Sequence, residues 1–389
     1  MGPGDVVAVE EPLGPAWPPA LEAGLASGAA LLPVDVRLAA PERDRLLARA
    51  RPTHRLADGT PAPVPDGLTV EPDVALIVAT SGSTGQPKLV QLTRDAIESA
   101  ARASVQAVGA GPGDPWVWCM PPGHIGGLLV LLRAHVAGAP VVVVPRAEPE
   151  AVAAAGATFI SVVPTQLARL LQAPESLAGY RAVIVGGAGL PPALARRAAG
   201  AGVHLVRTYG LTESTGGVVY DGWALPGIGV RTAEAGEIQL AGPTLMRGYL
   251  RDPGATVAAF TEDGWLRTRD AGTLDPDGLL TVHGRLDDLI VTGGENVWPG
   301  EVEAALRDHP ALDDVAVAGA PDPEWGSRVV AHVVLAEGGA EPSLESLREH
   351  AAAAIARHKL PREVVVHRAF PLTSSGKVDR ARLGERGAR

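Results

Sequence analysis

Three of the 34 basic residues are lysines, namely Lys88, Lys359 and Lys377; the others are arginines. Two of the three stand in loops of small hydroxyl and glycine residues, Thr80-Ser-Gly-Ser-Thr-Gly-Gln-Pro-Lys88 and Pro371-Leu-Thr-Ser-Ser-Gly-Lys377. An ammonium is a compact, strongly hydrated point charge, whereas a guanidinium is a planar fork. A chain that otherwise uses arginine but places lysine beside such loops points to sites needing a point charge. The alternative is that both lysines are solvated turn residues. The first loop directly follows an apolar run, Asp73 to Ala79. Gly82 and Gly85 let its backbone approach a ligand closely. Successive amides with the hydroxyls of Thr80, Ser81, Ser83 and Thr84 form a concavity suited to an anion. It is not the common nucleotide loop, because Pro87 separates the second glycine from Lys88. A surface turn fits the same spacing.

Loops of this kind need a scaffold. Val74 to Ala79, Val141 to Val144, Thr158 to Val163 and Ala182 to Val185 are short runs rich in β-branched residues. Between them lie helical stretches, Arg94 to Val108, Gln166 to Gln172 and Pro191 to Ala199. Buried strands alternating with helices indicate an α/β sheet layered by helices. After about residue 230, the runs 236–241, 264–267 and 278–283 are short, alternating and bounded by turns, as in an antiparallel β region. From Leu286 onward a compact α+β unit is expected. It has helices over 299–308 and 344–357 and strands over 315–318, 327–335 and 363–367. The chain therefore divides into a large domain, 1–285, a charged boundary turn, 286–288, and a small domain, 289–389.

At 389 residues with 46% hydrophobic and 20% charged content, the chain can build sizeable cores. A net charge of −10 argues against nucleic acid or an anionic membrane as main partner. A lone cysteine, Cys119, rules out an internal disulfide and suits a reducing compartment. The start lacks a secretion signal. The most apolar stretch, Ile125 to Val144, would carry Arg133 and His135 into a bilayer. A cytoplasmic chain without membrane insertion is expected.

The Thr80–Lys88 string resembles the phosphate-binding loop of the adenylate-forming superfamily, which comprises acyl-CoA ligases, firefly luciferases and peptide-synthetase adenylation domains. The resemblance continues in order through Gly186-Gly-Ala-Gly-Leu190, Tyr209-Gly-Leu-Thr-Glu213, Gly236-Glu-Ile, Arg247-Gly-Tyr249, Gly264-Trp-Leu-Arg-Thr-Arg-Asp270, Gly284 to Glu303, and Pro371 to Lys377. It covers about 300 residues. It implies a large adenylation domain of helix-layered sheets with a β subdomain, plus a small α+β domain rotating about a hinge at Asp287. The implied substrates are ATP, a small carboxylic acid and CoA, with Mg2+ as cofactor.

A carboxylate meeting the α-phosphate is an encounter of two anions, so positioning and charge neutralisation dominate the chemistry. By resemblance, Thr80 to Gly85 and Lys88 hold the β- and γ-phosphates. Gly186, Gly187 and Ala188 form the adenine pocket, and Tyr209 lies against the base. Asp270 accepts the ribose hydroxyls with Arg285 nearby. Thr212 meets the α-phosphate, and Glu213 binds Mg2+, which prefers carboxylate and phosphate oxygens. Lys377 bridges the acid and the reacting phosphate. Gly293 and Gly294 would admit a pantetheine arm, or simply make a hairpin turn. Lys359 reads as structural or CoA-side. Arg269 departs from the family, where glycine commonly precedes the aspartate.

For the acid, Pro121-Pro-Gly-His124 to Arg133 resembles the pocket helix of the o-succinylbenzoate–CoA ligases. There, His124 and Gly210 would line the acyl pocket, and Arg133 would face the substrate's second carboxylate. A guanidinium in an apolar helix needs a partner, and a bidentate carboxylate is a good one; snorkelling to solvent is the alternative. Other readings are a CoA ligase for another aryl or short-chain acid, or a stand-alone adenylation domain loading a carrier protein. A binding protein that kept only the fold is a further one. The short front end leaves open whether a homodimer partner completes a subdomain.

Overall fold

The computed structural model describes residues 1–80, 87–336, 338–371 and 378–384. Two seven-stranded sheets form the large domain. In the first, the parallel strands His54–Ala57, Val6–Val9, Ala30–Pro33 and Val74–Thr80 are neighbours in that order. Thr60–Pro63 flanks them on one side, and Lys88–Thr93 with Gly248–Tyr249 on the other, all antiparallel. In the second, Val141–Val143, Trp116–Trp118, Phe159–Val162, Ala182–Val185 and Leu205–Leu211 run parallel. Gly216–Tyr220 and Trp223–Ala224 complete it antiparallel.

Helices Arg94–Val108 and Ile125–Ala137 fill the space between the two sheets, in one core containing Val78, Val90, Ile97, Trp116, Leu128 and Ile184. Arg94–Val108 starts where Thr93 Oγ1 accepts the Ala96 N–H at 3.1 Å and stops at Gly109, φ +63°. Ile125–Ala137 is buried on every side, from Gly127 through Ala134. The opposite face of the second sheet is also covered, with Val117, Val183 and Val185 packed on Leu167 and Leu194. That explains why its strands read as unbroken apolar runs.

A four-stranded antiparallel sheet comes next, ordered Gly229–Thr232, Glu237–Ala241, Leu266–Leu274, Leu280–Arg285. After the turn Leu286–Asp288, strands Ile290–Thr292, Glu295–Val297, Leu312–Asp322, Gly326–Leu335 and Glu363–His367 make the last sheet. Helices Pro299–Leu306 and Leu344–Ala352 close its core through Val302, Leu306, Leu347 and Ala351. The second helix is shorter than the sequence pattern predicted, because Ala353 already serves as its C-cap. Among the described residues no helix is long and apolar enough to cross a membrane.

Candidate active site

The C-terminal ends of the parallel strands in the second sheet gather the expected nucleotide residues. Strand Ala182–Val185 runs into Gly186 and Gly187. A Cβ on Gly186 would strike Thr208 Oγ1, which donates to the Val185 carbonyl at 3.2 Å. Gly187 has φ +79°, where only glycine is free of strain. Ala188 comes next, on the exposed side of this turn. In an α/β sheet, ligands sit in the crevice beyond these strand ends.

Tyr209, on the neighbouring strand, donates its hydroxyl to Asp270 Oδ2 at 2.9 Å. Arg285 Nη1 donates to Asp270 Oδ1 at 3.0 Å and to the Thr268 carbonyl at 3.2 Å. Asp270 and Arg285 face each other across strands Leu266–Leu274 and Leu280–Arg285. The Asp270 backbone N–H donates to Thr268 Oγ1 at 3.0 Å. The Asp270 side chain is only 9% exposed, so it is fixed before any ligand arrives. Burial, reinforced by the Asp270 charge, pushes the Tyr209 hydroxyl far above its ordinary value and keeps it a donor.

A second cluster holds Glu213. Strand Leu205–Leu211 passes into a 3-10 turn, Thr212–Ser214, where Ser214 Oγ accepts the Leu211 N–H at 2.9 Å. This turn carries the Thr212 and Glu213 side chains, both half-buried. Tyr249 donates its hydroxyl to Glu213 Oε1 at 2.8 Å, and Lys88 Nζ lies 4.6 Å from the Tyr249 ring centroid. Lys88 pairs with Thr80 at the base of the hairpin, so the carboxylate, phenol and ammonium converge from three segments. Tyr249 has no role that its place in the sequence assigns. Its signal is there, in the Arg247-Gly-Tyr249 string, but only pairing with Lys88–Thr93 brings it to Glu213. Among the described residues no group of three His, Cys, Asp or Glu can hold a metal alone. A single carboxylate beside an ammonium fits Mg2+ shared with a phosphate ligand, since that ion keeps waters and takes phosphate oxygens.

Gly210 sits at a bulge between strands 205–211 and 216–220. A Cβ there would overlap the Gly216 carbonyl, so the close strand approach by itself requires glycine. His124 is exposed at the N-cap of helix Ile125–Ala137. It is near Asp35: burial works to raise that carboxyl, but the two-pronged Arg37 contact and His124 outweigh it and hold it below the usual range.

Arg133 requires a correction. The guanidinium neither faces a site open to a second carboxylate nor reaches solvent; it is 3% exposed. Its Nε donates to Ser104 Oγ at 2.7 Å, Nη1 to Ser161 Oγ at 3.2 Å and Nη2 to Tyr220 Oη at 3.0 Å. The cause is that the helix is buried on all sides, which leaves no exposed stripe for a long side chain to reach.

Gly293 and Gly294 have φ of +59° and +84° and join strands Ile290–Thr292 and Glu295–Val297. A two-residue hairpin with positive φ at both positions demands this pair on its own account. Asp287 lies in the boundary turn and is bound by Arg269 Nη2 at 2.6 Å. Arg269 itself has φ +58°, which is why glycine would be at home there. Lys359 binds both oxygens of Glu301, at 2.6 and 2.7 Å, within the small domain. Ser81, Gly82, Ser83, Thr84, Gly85 and Lys377 lie outside the described residues.

Two carboxylate-centred clusters, joined through strand Leu205–Leu211 and the turn after it, in a helix-layered α/β domain followed by a small α+β domain, are the arrangement expected of a nucleotide-using enzyme. The chain belongs to the AMP-binding enzyme family, matching it over residues 56–250 and matching the family's C-terminal domain over 301–377. Within that family it is 43% identical over 336 residues to the probable 2-succinylbenzoate–CoA ligase of Mycobacterium tuberculosis, covering 83% of this chain and 87% of that protein. It is 36% identical to the sulfoacetate–CoA ligase of Cupriavidus necator, covering 90% and 73%. The solved structure of o-succinylbenzoate CoA synthetase from Bacillus subtilis, in complex with its acyl-adenylate intermediate, superimposes with a TM-score of 0.87 at 28% identity. That match covers 98% of this chain and 88% of the other.

Proposed function

We propose that this protein is an ATP-dependent o-succinylbenzoate–CoA ligase of menaquinone biosynthesis. The observation that carries the ligase chemistry is the pair of clusters, Tyr209–Asp270–Arg285 and Lys88–Tyr249–Glu213, joined through strand Leu205–Leu211 and the turn that follows it. The first offers an acceptor carboxylate to a ribose. The second offers one positive and one negative group to a triphosphate and its Mg2+. The named acid comes from the relatives and from the Pro121–Arg133 segment.

In the first step an oxygen of the substrate carboxylate attacks the α-phosphorus of ATP, and pyrophosphate leaves. In the second, the CoA thiol loses its proton to solvent and its sulfur attacks the acyl carbon, and AMP leaves with the bonding pair. The protein supplies position and charge rather than covalent chemistry. Thr212 would contact the α-phosphate, and Lys377 would bridge acid and phosphate in the first step only. Gly186 to Ala188 would border the adenine, and Gly293-Gly294 the pantetheine. Asp287 would be the hinge about which the small domain, 289–389, turns between steps. Mg2+ bound at Glu213 would neutralise phosphate charge. Both ATP and CoA are cytoplasmic, which is where we place the protein.

A CoA ligase for another small acid is the second reading. It is favoured by the burial of Arg133, which removes the one expected contact to a second carboxylate. Pyrophosphate release from ATP and Mg2+, with and without CoA, decides between them across o-succinylbenzoate, benzoate, sulfoacetate, short fatty acids and amino acids. Selective turnover of o-succinylbenzoate with thioester formation is expected. Turnover of a different acid would keep the chemistry and discard the substrate. Lys377→Ala should abolish adenylation while thioester formation from supplied acyl-adenylate survives; equal loss of both steps would remove the role given to Lys377.

A further inference from the structure

Arg133 makes three hydrogen bonds to three separate elements while belonging to a fourth. Ser104 is on helix Arg94–Val108, Ser161 on strand Phe159–Val162, and Tyr220 on strand Gly216–Tyr220. Ser104 and Tyr220 also bond to each other at 2.6 Å, and the guanidinium carbon lies 5.8 Å from the Trp116 ring centroid. All three acceptors are neutral hydroxyls. A guanidinium offers its donors at fixed angles in one plane and spread over three nitrogens, so it reaches three separated acceptors at once, which an apolar residue cannot do and a compact ammonium does only where the acceptors crowd one atom.

The helix that carries Arg133 has His124 at its N-terminal cap, four residues before Leu128 in the core. The strand that carries Tyr220 begins at Gly216, directly after the Thr212–Ser214 turn and Thr215. These two elements are pinned together at both ends. At the site end, Gly216 lets Leu129 pack so closely that any Cβ there would overlap it. At the buried end, Arg133 holds Tyr220. The interior is close-packed, so a displacement at one end of a rigid helix is transmitted to the other.

We propose that Arg133 is a positioning residue that sets the acyl-pocket wall from behind, through Ser104, Ser161 and Tyr220, rather than a group that touches the acid. This rests on the adenylating function proposed above. The test compares wild type, Arg133→Met, Tyr220→Phe and Ser161→Ala in pyrophosphate release. Two acids are used: o-succinylbenzoate, and 4-oxo-4-phenylbutanoate, which keeps the succinyl carboxylate and the aryl ketone but lacks the second carboxylate on the ring.

Arg133→Met should lower kcat/KM for both acids by the same factor, about 10- to 100-fold, the range expected for losing hydrogen bonds from a charged group. The loss should fall mainly in KM for the acid, with KM for ATP unchanged within about twofold, a split that general loss of folded enzyme would not produce. Tyr220→Phe should act in the same direction, and the double variant should lose less than the sum of the two. Should Arg133→Met not fold, Tyr220→Phe and Ser161→Ala carry the same comparison with one hydrogen bond removed each. A selective collapse of o-succinylbenzoate turnover in Arg133→Met, with Tyr220→Phe at wild-type selectivity, would overturn the proposal by showing contact with the acid. Lower thermal stability with unchanged KM in every variant would overturn it equally. Silence of the wild-type enzyme on both acids would instead remove the function on which it rests.

Discussion

Asp270 illustrates how one side chain is fixed by its surroundings for the role proposed for it. It receives the Tyr209 hydroxyl and the Arg285 guanidinium on separate oxygens while almost fully buried. Hydrogen bonds to a charged group contribute about 1.5–3 kcal/mol each. Asp270→Asn should therefore weaken ATP binding by about 10- to 100-fold, read as the dissociation constant in calorimetry without acid. Tyr209→Phe should have the smaller effect, because Arg285 still fixes the carboxylate. A larger effect of Tyr209→Phe than of Asp270→Asn would mean that the ring, not the carboxylate, dominates the pocket. Glu213 has the same logic with one donor, Tyr249, and a neighbouring ammonium.

The bulge at Tyr209 and Gly210 sets the direction in which strand Leu205–Leu211 delivers Thr212 and Glu213. Gly210→Ala would force its Cβ into the Gly216 backbone, which cannot rotate away as a side chain can. An overpacking cost of about 3 kcal/mol or more is expected, seen as a lowered midpoint in thermal unfolding. An unchanged midpoint would show that the two strands can separate there.

In the small domain, His332 and His367 share a hydrogen bond of 2.9 Å between strands Gly326–Leu335 and Glu363–His367. Burial, then the neighbouring His367, lowers His332 to about 4, against the opposing charge of Glu363. A folded-state value below the ordinary 6.5 means that the native state holds the ring neutral. Stability from this source is thus complete above pH about 6.5 and is lost as pH falls towards 4, up to about 3 kcal/mol in all. His332→Leu should flatten that part of the pH dependence in chemical denaturation. An unaltered slope would assign it to other groups.

At the scale of the whole molecule, two ion pairs among the described residues tie the large domain to the boundary turn and the small domain: Arg269–Asp287 at 2.6 Å and Arg196–Asp308 at 2.8 Å. Both are largely exposed, so each contributes under about 1 kcal/mol. Weak, screened contacts of this kind would suit the proposed rotation of the small domain, whose own core is separate. Arg269 also bears a left-handed backbone, a cost of roughly 1–2 kcal/mol that glycine avoids. Arg269→Gly should therefore leave thermal stability nearly unchanged, since the lost pair and the relieved strain oppose each other. The ratio of the two half-reaction rates should then lose part of its dependence on salt, measured at low and high ionic strength. If wild type and variant show the same salt dependence, the pair does not influence domain orientation.

Much of this molecule is legible along the chain. Strands Ala182–Val185 and Glu363–His367 and helix Arg94–Val108 fall where composition and periodicity put them, because each is local and strongly patterned. Tyr209, Glu213, Asp270 and Arg285 are picked out along the chain by strings that resemble those of the adenylate-forming superfamily, and the fold brings them into two clusters. The front end, with strands Val6–Val9 and Ala30–Pro33 beside Val74–Thr80, is not legible in this way because its pairing is long-range. Tyr249 and Arg133 mark the same limit. Which atoms a side chain meets depends on elements distant in sequence, so an arginine in an apolar helix looks like a ligand contact until the fold surrounds it with three hydroxyls. The order of residues thus carries the chemistry at stake and the side-chain types that serve it. Which of those side chains face the site is settled by folding alone, because burial and partner geometry are properties of packed elements and not of neighbours along the chain.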